Sequence, residues 1–88
     1  MELEQLRVFL AAAEAGGFSP AARALYVSHS TVSRTVAALE RELGTPLFVR
    51  SNRTQTLTGA GRVLADEARD LLMQAERVKQ TLAGYREE

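Results

Sequence analysis

Apolar positions recur along the 88 residues with a helical rhythm that is interrupted by glycine, proline and hydroxyl residues and changes once to short alternation. Leu3, Leu6, Phe9, Leu10 and Ala13 share one face, Glu2 and Glu4 suit the positive end of a helix, and Gly16-Gly17 stop the pattern. The spacing predicts a first helix over roughly 2–15. Ser19 followed by Pro20 predicts a second start, with the serine hydroxyl as N-cap and proline in the first helical position, for a helix over roughly 19–25. Its Ala21-Ala22 pair leaves room for a neighbouring helix, and Leu25 and Val27 are the expected apolar anchors on either side of a three-residue turn. Ser28 then caps a third helix that stops at Gly44, with Pro46 just beyond. That helix keeps Val32, Val36, Leu39 and Leu43 on one face.

Two short stretches follow, Leu47-Phe48-Val49-Arg50 and Thr54-Gln55-Thr56-Leu57, separated by Ser51-Asn52-Arg53, which can turn. They predict a two-stranded wing. Thr58 caps a final helix expected to run to about residue 86, some 29 residues or ~43 Å at 1.5 Å each, with Gly84 its one late weak point. Gly59-Ala60-Gly61 lacks the rest of a phosphate loop and reads as close helix packing. Within the last helix Leu64, Ala68, Leu71, Ala75, Val78, Leu82 and Tyr85 follow an unbroken 4-3-4-3-4-3 spacing, an apolar seam of the coiled-coil type. The helix outruns so small a domain, so its far half is expected to pack on the same helix of a second chain, with Val63, Leu64 and Leu72 partly against the first helix. The fold class is therefore all-α with a small β-hairpin: a winged helix-turn-helix over residues 1–58 and a dimerisation helix over 59–88.

The third helix opens, on its polar side, with His29, Ser30, Thr31, Ser33 and Arg34. Such side chains hydrogen-bond to base edges or phosphates, and they occupy the first turns, where a recognition helix enters a major groove. A net charge of zero first argues against a nucleic-acid partner. The sum conceals an uneven distribution. Residues 19–62 carry six arginines against Glu40 and Glu42, a net of +4, whereas the segments on either side carry −2 each. Phosphate attraction needs only such a local excess. A chain this short buries about 60% of its unfolded surface, which makes a partner subunit useful. There is no Cys and only one His, so neither a disulfide framework nor a zinc site can be assembled, and no cofactor is implied. The longest apolar run, Val8 to Ala13, falls short of the ~18 residues a membrane span needs, and the acidic start is unlike an export signal. A soluble, cytoplasmic protein is expected.

Ser19, Ala21-Ala22, Leu25, Ser28, Val32-Ser33, Leu39-Glu40, Leu43-Gly44, Leu47-Phe48, Arg50, Arg53, Leu57-Thr58 and Ala60-Gly61, in this order, resemble the LysR-type bacterial transcriptional regulators over nearly the whole chain. The resemblance implies an N-terminal winged helix-turn-helix, a linker helix that dimerises, and a C-terminal effector-binding domain that these 88 residues do not include. A small-molecule effector would act only through that domain. It further implies that residues 29, 30, 31, 33 and 34 face an operator and that Arg53 reaches a minor groove or its phosphates. Gln is usual in the family where this chain has His29. Glutamine can contact adenine through two bonds, whereas neutral imidazole offers one donor and one acceptor, so base preference at that position departs from the family's.

Each assignment has a plainer rival. His29 can be an ordinary exposed first-turn residue, Arg34 a surface ion pair, Ser28 a cap alone, and Arg50 a brace for the wing. Arg53, at a hairpin tip, has little else to do. The expected interface with DNA is Ser19, Ser28, His29, Ser30, Thr31, Ser33, Arg34, Arg50 and Arg53, and the expected target is an inverted repeat in double-stranded DNA, because half-sites mirror a protein dyad. Lys79 and Arg86 against Glu67 and Glu88 suit a parallel helix pair, while the resemblance suggests an antiparallel one, and the order stays open. A helical adaptor that binds protein instead of DNA is the alternative. It explains the seam but leaves the hydroxyl-rich start of the third helix without a purpose. An enzyme is not expected, since the single His has no carboxylate within four residues and no nucleophile motif is present.

Overall fold

The computed structural model describes residues 1–51 and 55–86, with Arg50 described by its backbone only. The elements run α1 (Leu3–Ala15), α2 (Phe18–Leu25), α3 (His29–Leu43), β1 (Phe48–Arg50), β2 (Gln55–Leu57) and α4 (Gly59–Ala83). Helices α1, α2, α3 and the first half of α4 pack around one core, and the strands form an antiparallel ribbon at its edge. Phe9, Ala12, Val32, Val36, Leu39 and Leu47 are sealed from solvent. The ribbon joins this core through Phe48, whose ring sits edge-on to Phe18 at 5.3 Å and to Phe9 at 5.6 Å. Aromatic pairs prefer such geometry because a ring's positive edge meets a negative face.

The helix limits follow from capping chemistry. Ser28 is the N-cap of α3, its Oγ accepting from the Thr31 amide at 3.1 Å, and Thr58 caps α4 by accepting from the Gly61 amide at 2.9 Å. Gly16 and Gly44 end α1 and α3 in the left-handed conformation that glycine adopts without steric cost. The left-handed C-cap of α2 is Tyr26, with φ of 59°, an uncommon conformation for a non-glycine residue. The turn between α2 and α3 spans residues 26–28, three as the pattern predicted.

Ser19 does not cap α2. The helix begins one residue earlier, at Phe18, and the Phe18 amide is met by the Gln55 side chain at 3.0 Å from the second strand. Pro20 then sits third in the helix, still inside the first turn, where a missing N–H removes no helical bond. Helix α4 ends at Ala83 and not near residue 86: the Gly84 amide turns back to Thr81 and Leu82, and Tyr85 lies past the helix. Leu43 is 41% exposed at the last turn of α3, so the buried stripe of that helix is Val32, Val36 and Leu39. Val27 and Val63 are exposed as well, leaving Leu25 as the anchor at the turn; in α4 Ala60 and Leu64 pack partly on the core and Leu72 is half-buried.

The Gly59-Ala60-Gly61 triplet does not mark helix packing; the close approach is Gly61 alone, against the main chain that enters the first strand. A Cβ there would run into the carbonyl oxygen of Leu47, whereas Gly59 faces open space. Ion pairs at the surface join the elements: Arg69 of α4 contacts Glu14 of α1 at 3.2 Å and Asp66 at 3.0 Å. The α-amino group of Met1 donates to Glu42 at 2.7 Å, and that bond holds its pKa above the usual value. Among the described residues, no helix is long and apolar enough to cross a membrane.

Candidate nucleic-acid interface

Helix α3 presents two unlike sides. At 3.6 residues per turn, Ser30, Arg34, Ala37 and Arg41 project away from Val32, Val36 and Leu39, with His29 and Ser33 at the flank. Burial follows this geometry: His29, Ser30, Arg34 and Arg41 are exposed, and Thr31 and Ser33 are half-buried. The apolar side fixes the polar side outward, because turning α3 about its axis would expose three sealed side chains together.

The first turn is ordered by its own hydroxyls. Ser28 Oγ lies 2.9 Å from Thr31 Oγ1 and 3.2 Å from Ser30 Oγ, and Thr35 Oγ1 donates to the Thr31 carbonyl oxygen at 2.8 Å. Among the described residues the main-chain amides of His29 and Ser30 meet no acceptor in the chain, which leaves N–H groups pointing out from the positive end of a 15-residue helix. The His29 ring rests against Phe18 at 6.0 Å with a tilt of 53°, so the first turns of α2 and α3 lie side by side. Ser19, next to Phe18, is exposed on α2.

Among the described residues, Arg23, Arg34 and Arg41 have no carboxylate within salt-bridge distance. The surface ion pair that would have been the plain role of Arg34 is therefore absent among those residues. Arg62 donates to the Leu57 carbonyl oxygen at 3.3 Å. The backbone of Arg50 pairs with Gln55 in the ribbon, its side chain is outside the description, and Arg53 lies outside the described residues. The structure thus brings together Ser28, His29, Ser30, Thr31, Ser33 and Arg34 on one helix start, with Ser19 on the adjoining one.

Three contributors were not anticipated. Arg41 extends the outward stripe of Ser30 and Arg34. Glu40 Oε2 accepts from the Leu47 amide at 2.8 Å and the Phe48 amide at 3.4 Å, tying α3 to the first strand. Gln55 ties the second strand to α2. For Glu40 a weak signal existed, since a three-residue strand leaves main-chain donors that need acceptors a few residues away; for Gln55, 37 positions from the Phe18 amide, there was none.

Chemically, the surface offers hydroxyls, an imidazole, a guanidinium and free main-chain amides on a rigid helix. That set donates to anionic oxygens and to the acceptor edges of bases. Among the described residues no group of His, Asp and Glu side chains is placed to hold a metal ion.

The model of the family described as bacterial regulatory helix-turn-helix protein, lysR family, matches residues 3–62. The HTH-type transcriptional activator IlvY of Salmonella typhimurium is 49% identical over 82 residues, which cover 93% of this chain and 28% of IlvY. The HTH-type transcriptional regulator TfdT of Cupriavidus pinatubonensis is 47% identical over 77 residues, 88% of this chain and 34% of that protein. The chain therefore spans about a third or less of the length of these relatives. In structure it is similar to a chain of the CbnR DBD–DNA complex, with a TM-score of 0.91 and 41% identity over 98% of this chain and 100% of that one. A chain of the BenM DBD complex with benA site 1 DNA gives a TM-score of 0.92 at 32% identity, covering 97% of this chain and 96% of that one.

Proposed function

This chain belongs to the lysR family of bacterial regulatory helix-turn-helix proteins, and from that premise we propose that it binds double-stranded DNA sequence-specifically as part of a dimeric transcription regulator. The observation that carries the proposal is the outward set Ser30, Arg34 and His29 on a helix whose opposite side is locked into the core. Helix α3 enters the major groove by its first turns, where the Arg34 guanidinium can fork onto guanine O6 and N7 and Ser30 and His29 each add one contact. The amides of His29 and Ser30, with Ser28 as cap, meet a backbone phosphate. The ribbon lies beside the helix, with Arg53 assigned to the adjacent minor groove or its phosphates and Arg50 to the neighbouring backbone. The relatives with solved DNA complexes support this reading by their likeness in fold and sequence.

Residues 59–88 are assigned to pairing through Leu71, Ala75, Val78, Leu82 and Tyr85, continuing the line of Leu64 and Ala68. The support is exposure: Val78, Leu82 and Tyr85 are 56%, 59% and 79% exposed, a row of apolar side chains that water alone covers poorly. A two-fold pair calls for an inverted-repeat operator. Action in the cytoplasm on the nucleoid, and control by a small molecule through a further domain, belong to the same proposal.

Fluorescence anisotropy with a selected operator and with mixed-sequence DNA, each at two salt concentrations, tests it. Tight operator binding and a steep fall in affinity with salt are expected. An affinity that ignores both sequence and salt would leave the adaptor alternative standing.

A further inference from the structure

The ribbon is three pairs long, Phe48↔Leu57, Val49↔Thr56 and Arg50↔Gln55. A two-stranded ribbon of that length does not hold its own direction in water. Its direction must come from what attaches it to the rest of the chain: Phe48 and Leu57 seat its inner pair on the core, and two side chains bond to it at opposite ends of the ladder. At the end nearest the core, Glu40 of α3 accepts from the Leu47 and Phe48 amides. At the other end, Gln55, which pairs with Arg50, accepts from the Phe18 amide at the start of α2. One point of attachment makes a pivot, whereas two points fix an angle. The outer strand positions Val49 and Thr56 between them are exposed and contribute little hold of their own.

We infer that Gln55 is a positioning residue for DNA reading: together with Glu40 it clamps the ribbon to both helices of the helix-turn-helix, so that ribbon and α3 meet the duplex as one rigid unit. This rests on the DNA-binding reading given above. Without the Gln55 bond the ribbon swings about the Glu40 end, and its contacts with DNA must then be ordered at each binding event, which weakens them. The contacts of α3 are untouched by that swing.

Gln55→Met keeps the side chain's length and removes its strong acceptor, whereas Gln55→Glu keeps an acceptor oxygen. In the free 88-residue chain, residual dipolar couplings of the Val49 and Thr56 amides should fit the frame of α3 for the wild type and for Q55E, and lose that fit in Q55M. On a selected duplex, Q55M should bind about 2- to 10-fold more weakly, as befits one lost hydrogen bond. It should lose hydroxyl-radical protection beside the major-groove site while guanine N7 protection within it persists, and Q55E should restore both. Parental couplings and flanking protection in Q55M overturn the inference. So does weakening spread evenly over the footprint in step with a lowered melting temperature. Should Q55M not fold, the wild type still decides: its Phe18 amide must exchange with solvent more slowly than the His29 and Ser30 amides, and equal rates overturn the clamp. A wild type without salt-dependent duplex binding sinks the DNA reading instead, leaving couplings and exchange to judge the clamp.

Discussion

The two halves of α4 carry one uninterrupted apolar spacing and live in opposite surroundings. In the first half Ala65 and Ala68 are buried, Leu64 packs partly on the core, and Arg69 reaches across to Glu14 of α1. In the second half Leu71, Val78 and Leu82 stand exposed on a helix that extends past the body, which gives the molecule extents of 54 × 26 × 19 Å. Periodicity records that a face is apolar, not what covers it. Residue size records more. The buried side chains of the first half are Ala65 and Ala68, small enough for α4 to lie close to α1, whereas the exposed positions of the seam, Leu71, Val78, Leu82 and Tyr85, are all large.

The contrast can be broken first where packing is densest. Phe9→Ala removes a sealed ring that touches Phe48 and should cost about 3 to 5 kcal/mol in urea unfolding, enough to unfold a domain of this size at moderate temperature. A cost below about 1 kcal/mol would mean that the body is loosely packed. Next comes the outward side of α3, where Arg34→Ala should leave folding unchanged and cost about 1 to 3 kcal/mol on the selected operator, with relaxed discrimination at one base pair. Equal binding of parent and variant in a titration would remove Arg34 from the interface.

The distal half of α4 should behave in the reverse manner. Leu82→Asp should change the body's own stability by less than about 0.5 kcal/mol, read at concentrations where only monomer is present, yet shift sedimentation from dimer to monomer. A dimer that survives the change places the interface elsewhere. The smallest effect belongs to Met1. Its pKa is raised from 8.0 by the Glu42 bond, so the stabilisation is fully present below about pH 8 and fades as pH climbs through the folded-state value. Glu42→Gln should flatten this slight alkaline decline in melting temperature.

Much of this architecture was legible in the sequence because its determinants are local. Ser28 and Thr58 cap with their own hydroxyls, three residues from the amides they satisfy, and Gly16 and Gly44 stop helices by a property of their own backbone. The polar start of α3 was legible for the same reason, since the opposite stripe of valine and leucine dictates which residues face out. Ser19 misled because the acceptor that serves the start of α2 comes from Gln55, 37 positions along the chain. Glu40 and Gln55 read as ordinary polar residues until folding brought them against main-chain donors. Leu43 and Val27 fit the apolar pattern but fall at element ends, beyond the reach of the neighbouring helices.

The close approach at Gly61 has a mechanical consequence. The base of α4 is riveted to the root of the ribbon, with Gly61 against the Leu47 carbonyl and Thr58 bonded to both Leu47 and Pro46. From that fulcrum the 25-residue helix runs ~37 Å, packed on α1 over its first half, so that a tilt of about 10° at the base must repack Ala65 and Ala68 and sweeps the tip through about 6 Å. Torque applied at the tip is delivered to Leu47, one residue from the strand and bonded to Glu40 of α3. In the proposed dimer, small repackings far from the duplex would in this way set the separation of the two α3 helices.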